Sequence, residues 1–289
     1  MLSQPGQKTY DIFGVPLRTG SLYPGTENDA IAYREAGMMD QFRSAGIFAV
    51  DRGDMPIPSF LPHHSIPPVR NWPGPRIAWD CVGEPVSKSL QQPHHIPLLI
   101  GCDCSIVVGT AQTLMHAGSR ELHVLYIDGD FDDAAPQPHI CNSAASFAVW
   151  FLTNASPFWA GPVLKPSQVT VLGWTMPSRS PGEKANSLSL AEIRKSGIRE
   201  SAARVLDRIP PSADILIHLD VDVLTKQEMP AAYFPHSQGL TLGECTDLLR
   251  PLVHDPRTRL IEISEYASLR DFDRTHVRSL LKLLAEALS

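Results

Sequence analysis

The stretch Ile215-Leu-Ile-His-Leu-Asp-Val-Asp-Val-Leu224 decides the fold class. Its apolar residues run on, with one histidine among them, until two aspartates close the segment. A strand with one wet face alternates every second residue, whereas a parallel strand covered on both faces is apolar throughout. Runs of the same kind recur at residues 11–17, 46–50, 77–82, 122–127, 169–173 and 260–263, and another starts at residue 96 and ends in Gly101-Cys-Asp-Cys-Ser105. Helical patterns lie between them, at residues 28–44, 105–116 and 190–208. After Thr275, residues Val277, Leu280, Leu281, Leu284 and Leu288 fall at helical spacing. Strand and helix in alternation predict an α/β fold, with a mostly parallel sheet and helices on both faces. The Pro- and His-rich stretch 56–75 has no period and is expected to be a surface loop, so residues 1–289 are expected to form one domain.

Bulk properties narrow the function. The chain has 289 residues, 43% of them hydrophobic, 19% charged, and a formal net charge of −6. No basic stretch favours nucleic acid. The start, MLSQPGQKTY, has neither a basic leader region nor an apolar one, and apolar runs such as 96–100 are too short to span a bilayer. The expectation is a soluble, cytoplasmic protein. Cys81, Cys102, Cys104, Cys141 and Cys245 make an odd set that does not suggest a disulfide framework.

Chemistry in an open parallel sheet gathers at the carboxyl ends of the strands. Three of the apolar runs end in acidic or soft ligands. The first ends at Asp103 and Cys104. The second, from Leu122, continues into Asp128-Gly-Asp-Phe-Asp-Asp133. The third ends at Asp220 and Asp222. If the strand persists, residues two apart share a face, so Asp220 and Asp222 project together. Carboxylates at close range in an apolar setting repel unless a cation lies between them, and a pair of divalent metals is the simplest answer. Taken singly, each acidic turn reads more readily as a solvated strand end than as a metal site.

The order and spacing of these segments resemble the ureohydrolase family of arginases, agmatinases, guanidinobutyrases and formiminoglutamases. Gly101-Cys-Asp-Cys-Ser105 stands where that family has Gly-Gly-Asp-His-Ser. Asp128-Gly-Asp-Phe-Asp132 resembles its Asp-Ala-His-x-Asp, and His218-Leu-Asp-Val-Asp222 its Ser-x-Asp-x-Asp. Glu265-Tyr-Ala-Ser268 looks like the family's late glutamate segment, and Met229-Pro-Ala followed by Gly239-Leu-Thr241 like the connection after its last aspartate pair. The resemblance implies a three-layer α/β/α sandwich and two divalent ions, Mn²⁺ by preference. It implies that Cys104, Asp128, Asp132 and Asp220 hold one ion and Asp128, Asp130, Asp220 and Asp222 the other, with Asp128 and Asp220 bridging. Activated water would attack a guanidino carbon, with Asp132 and Glu265 carrying catalysis, Glu265 orienting the guanidinium, and Asn142 binding the substrate tail. The family often assembles into trimers or hexamers, so a homo-oligomer is open.

Both family histidine ligands are missing, replaced by Cys104 and Asp130. Five carboxylates and one thiolate would set six negative charges against four from two divalent ions. Such a shell weakens the metal as a Lewis acid, or leaves Asp130 protonated or unligated. The thiolate tilts selectivity towards Zn²⁺ or Fe²⁺ and the oxygens back towards Mn²⁺. A cysteine at the first position resembles N-hydroxyarginine amidinohydrolases. Ala144 occupies the place of the arginase histidine that shuttles protons, which leaves His139 or His236 as substitutes. Two other readings stay open. One is a fold that has lost catalysis and serves in binding or assembly. The other is hydrolysis of a different C–N bond, such as a formimino group or a peptidyl arginine.

Overall fold

A computed structural model describes residues 8–16, 18–25, 27–118, 120–158, 161–178 and 184–289. In chain order the elements are β1 (Thr9–Gly14), α1 (Ala30–Glu35), α2 (Met38–Ser44), β2 (Phe48–Asp54), α3 (Gly74–Leu90), β3 (His95–Cys102), α4 (Ile106–Ala117) and β4 (Leu122–Ile127). There follow α5 (Ala148–Thr153), β5 (Val169–Leu172), β6 (Asn186–Leu188), α6 (Leu190–Ser196), α7 (Ile198–Arg208), β7 (Asp214–Asp220), α8 (Leu242–His254), β8 (Thr258–Ser264) and α9 (Thr275–Leu288).

The strands form one eight-stranded sheet in the order β2-β1-β3-β8-β7-β4-β5-β6, every pair parallel. Its two faces bury different sets. On one, Leu98, Ile100, Leu125, Ile127, Ile217, Leu219, Ile261 and Ile263 meet α1, α2, α6, α7, α8 and α9. On the other, Leu99, Val124, Tyr126, Leu216 and Leu260 meet α3, α4 and α5. Successive residues of β7 thus serve opposite cores, which is why the 215–224 run has no polar face. Each fully buried Leu or Ile contributes on the order of 1.5–3 kcal/mol. The result is the three-layer α/β/α sandwich expected. Among the described residues, no helix is long and apolar enough to cross a membrane.

Some expectations are corrected. Residues 77–82 are not a strand but the middle of α3. Ala78, Trp79, Val82 and Val86 are its buried face, at helical spacing. The run Ile77-Ala-Trp-Asp-Cys-Val82 is too short for its own periodicity to separate the two structures. The expected helices 28–44 and 190–208 each break in two, at Gly37 and Gly197, whose φ values of 84° and 93° no helix accommodates. Strand β2 extends past its apolar run into Asp51, Arg52 and Asp54, because it lies at the sheet edge where polar residues meet water. The expected end of the first strand at Leu17 lies outside the described residues. The short edge strand β6 and helices α5 and α8 have no counterpart among the sequence expectations.

One polar cluster interrupts the core. His218 on β7 and Glu262 on β8 are both fully buried and paired at 2.8 Å through Nδ1. The Thr110 hydroxyl on α4 donates to the other Glu262 oxygen. Tyr126 stacks on the imidazole with ring centroids 4.5 Å apart. On the far side, His218 Nε2 lies 3.0 Å from the Ser264 hydroxyl, which lies 3.2 Å from Cys104 Sγ.

Candidate metal centre

The four central strands β3, β8, β7 and β4 end side by side, and each hands the chain to one or more acidic or sulfur candidate ligands. Just past β3, Cys104 donates its thiol proton to Asp220 Oδ2 at 2.8 Å and lies 4.0 Å from Asp128 Oδ2. Just past β8, Glu265 accepts from the Cys104 N–H at 3.3 Å and from the Ser21 hydroxyl at 2.9 Å. Strand β7 stops at Asp220, so Asp220 and Asp222 do not share a strand face as expected. The chain turns through Val221–Val223 in a 3-10 helix, and Asp220 Oδ1 caps it by accepting the Asp222 N–H at 2.7 Å. The turn brings both carboxylates to the same cavity by a different route.

The segment after β4 is built in the same way. Asp128 Oδ1 accepts the Asp130 N–H at 2.6 Å, and the Gly129 N–H donates to Asp222 Oδ1 at 3.0 Å. Asp132 takes a hydrogen bond from the Tyr126 hydroxyl at 2.7 Å. Asp132 and Glu265 have φ values of 47° and 59°, a left-handed backbone that costs a non-glycine residue of order 1 kcal/mol or more. Such strain is tolerated where surrounding contacts over-determine the position.

Two groups of ligand atoms result. Cys104, Asp128 and Asp132 form one, and Asp128, Asp220 and Asp222 the other, with the atoms of each within 4.8 Å of one another. Asp128 belongs to both. Asp130 stands outside both, its side chain 29% exposed and its Oδ2 3.8 Å from His236 Nε2. Burial, with Asp222 and Asp220 close by, pushes the Asp128 carboxyl well above the usual carboxylate range. Burial and Asp222 do the same to Asp220. Burial raises Asp132 against its Tyr126 hydrogen bond, and burial with Asp220 raises the Cys104 thiol. Glu265 is lifted by burial and by Asp103 to about 8. In anionic form these groups need cations between them, and the donor set of hard carboxylate oxygens with one sulfur suits divalent metals.

Above the ligands lies a cavity of about 290 Å³, the size of a small-molecule site. Leu22, Phe131, Met176 and Phe234 supply an apolar wall, and Asn142, Ser143 and Ser146 a neutral polar one. Glu265 lines it as well. His139 is exposed and does not line it, and Ala144 is fully buried. The His218–Glu262–Ser264 set behind Cys104 escaped the sequence reading. Its signal was a histidine and a glutamate embedded in otherwise apolar strand runs.

Comparison with known proteins agrees with this architecture. A family model described as the arginase family matches residues 8–289. The arginase of Agrobacterium fabrum is 26% identical over 301 residues, covering 97% of this chain and 90% of that one. The solved arginase of Bacillus caldovelox shares the fold with a TM-score of 0.83 at 21% identity, over 98% of this chain and 99% of that one. Proclavaminate amidino hydrolase from Streptomyces clavuligerus shares it with a TM-score of 0.72 at 19% identity, over 99% and 92%.

Proposed function

The chain belongs to the arginase family, and from that premise we propose that it is a metal-dependent hydrolase acting on a guanidino compound, an arginine or a modified arginine. It cleaves one C–N bond and releases an amine and a urea-like product. The observation that carries this reading is the pair of ligand groups sharing Asp128 at the floor of a small-molecule cavity. Cys104, Asp128, Asp132 and Asp220 would hold one divalent ion and Asp128, Asp220 and Asp222 the other, with the preponderance of carboxylate oxygens favouring Mn²⁺. When bound, the ions neutralise the acids, polarise the guanidino group and supply a nucleophilic water near neutral pH.

The chain's own residues do the rest. Glu265, anchored by Ser21 and the Cys104 N–H, orients the guanidinium by charge-assisted hydrogen bonds. Asp132, fixed by Tyr126, is the second carboxylate assigned to catalysis. Asn142 on the neutral polar wall meets the substrate tail, and the apolar wall keeps bulk water from the reacting atoms. The strands from Thr9 to Ser264 join one sheet, which supports a single working domain.

The test is to load the purified protein with Mn²⁺, count ions per chain by mass spectrometry, and measure urea or substituted urea released from a panel of guanidino compounds. Two ions per chain with turnover, and loss of both in Asp128→Ala and Asp220→Ala, is the expected result. Full turnover in either variant would refute the reading. Two ions without turnover of any guanidino compound would leave a binding role in its place.

A further inference from the structure

Among the described residues, one imidazole reaches the acidic floor from outside the strand ends. His236 sits in the loop between β7 and α8, where its carbonyl accepts the Lys226 N–H at 2.7 Å and its ring meets Phe234 edge-on at 5.3 Å. Its side chain is only 10% exposed. Its Nε2 is buried without a hydrogen-bond partner and points at the carboxylates, 3.4 Å from Asp222 Oδ2 and 3.8 Å from Asp130 Oδ2.

Gly129 is what admits the ring. A Cβ at residue 129 would stand 2.5 Å from His236 Cδ2 and 2.9 Å from Nε2, closer than any real side chain comes. The alanine of the Asp-Ala-His-x-Asp segment could not coexist with the ring in this place. Glycine at 129 thus makes room for an imidazole that enters from residue 236, next to the aspartate at 130.

We propose that His236, through Nε2, supplies the imidazole metal ligand that residue 130 lacks, beside Asp128, Asp220 and Asp222. The inference rests on the metal-dependent reading above. Two ligands bonded at about 2.1 Å to one ion stand about 3 Å apart at a right angle and at most about 4.2 Å apart. The 3.4 Å separation from Asp222, the member of that group nearest the ring, falls inside that range. A neutral nitrogen in the shell also relieves a site otherwise crowded with anions.

Mn²⁺ binding isotherms and pulsed EPR on the Mn²⁺-loaded protein test this. The wild type is expected to bind two ions and to show nitrogen modulation from a coordinated imidazole. His236→Ala should lose the modulation and weaken one of the two sites at least tenfold. Gly129→Ala, which drives the ring away, should do the same. Adding Asp130→His to His236→Ala should restore both, and His236→Gln serves if the alanine variant folds poorly. Two ions bound without modulation in the wild type, or wild-type affinity for both in His236→Ala, overturns the inference alone. A wild type that binds no ion overturns the metal-dependent reading and the inference with it.

Discussion

Replacing His218 by leucine isolates the energetics of the polar cluster inside the sheet. The imidazole and Glu262 are both fully buried and paired at 2.8 Å. In His218→Leu, Glu262 keeps the Thr110 hydroxyl on one oxygen and loses its partner on the other. Removing one member of a buried hydrogen-bonded pair leaves the other unsatisfied, which costs about 1–3 kcal/mol. The stacking of Tyr126 on the ring, worth about 0.5–1.5 kcal/mol, goes as well. Against a total stability of about 5–15 kcal/mol that is a large share. Urea melts followed by circular dichroism measure it, as a shift in midpoint at unchanged slope. The double variant His218→Leu/Glu262→Leu removes both polar partners and should recover most of the loss, since apolar replacement of both members of a buried pair is often nearly neutral. A single variant within about 1 kcal/mol of wild type, or a double variant no better than the single, would refute the reasoning. Because Ser264 links His218 to Cys104, the single variant should also loosen the thiol ligand.

Two further outcomes follow from other parts of the molecule. Asn142→Ala should raise KM several-fold for guanidino substrates while leaving kcat and metal content near wild type, which steady-state kinetics and metal analysis read directly. Arg194 grips Glu244 at 2.8 and 2.9 Å and holds its carboxyl down to about 2 from an ordinary value of 4.5. A depressed folded pKa contributes stability above pH 4.5 that disappears as the pH falls towards 2. The pair is partly exposed, so solvent limits its contribution to about 1 kcal/mol or less. Thermal melts should therefore show Glu244→Gln slightly less stable than wild type at pH 7, with the gap closing below pH 4.5; a gap that widens on acidification contradicts the assignment.

The central strands were legible because burial on both faces leaves an apolar run that only a covered strand explains. Their acidic ends were legible as a set, because three apolar runs close in aspartate or cysteine, whereas any one of them alone reads as a solvated strand end. Element type failed where the run was short, at 77–82, since six residues do not show a helical period. Asp220 and Asp222 do reach one cavity, but through a capped turn that local spacing could not foresee. The Glu262–His218 pair depends on the register of β7 against β8, a contact between segments far apart in sequence. His236 was visible only as a loop histidine. Gly129 was visible as a departure from a motif, but its meaning needs the ring that occupies the space.

The strand order carries a consequence for how the molecule comes together. Strand β8 is the last of the eight in sequence, yet it lies between β3 and β7. Without it the sheet would be two separate halves, β2-β1-β3 and β7-β4-β5-β6. Asp128, Asp220 and Asp222 all belong to the second half, where β7 and β4 are direct neighbours. Cys104 belongs to the first and Glu265 arrives with β8 itself. The carboxylate nest is therefore held within one half, while the sulfur is held against it across β8, the strand that joins the halves like a keystone.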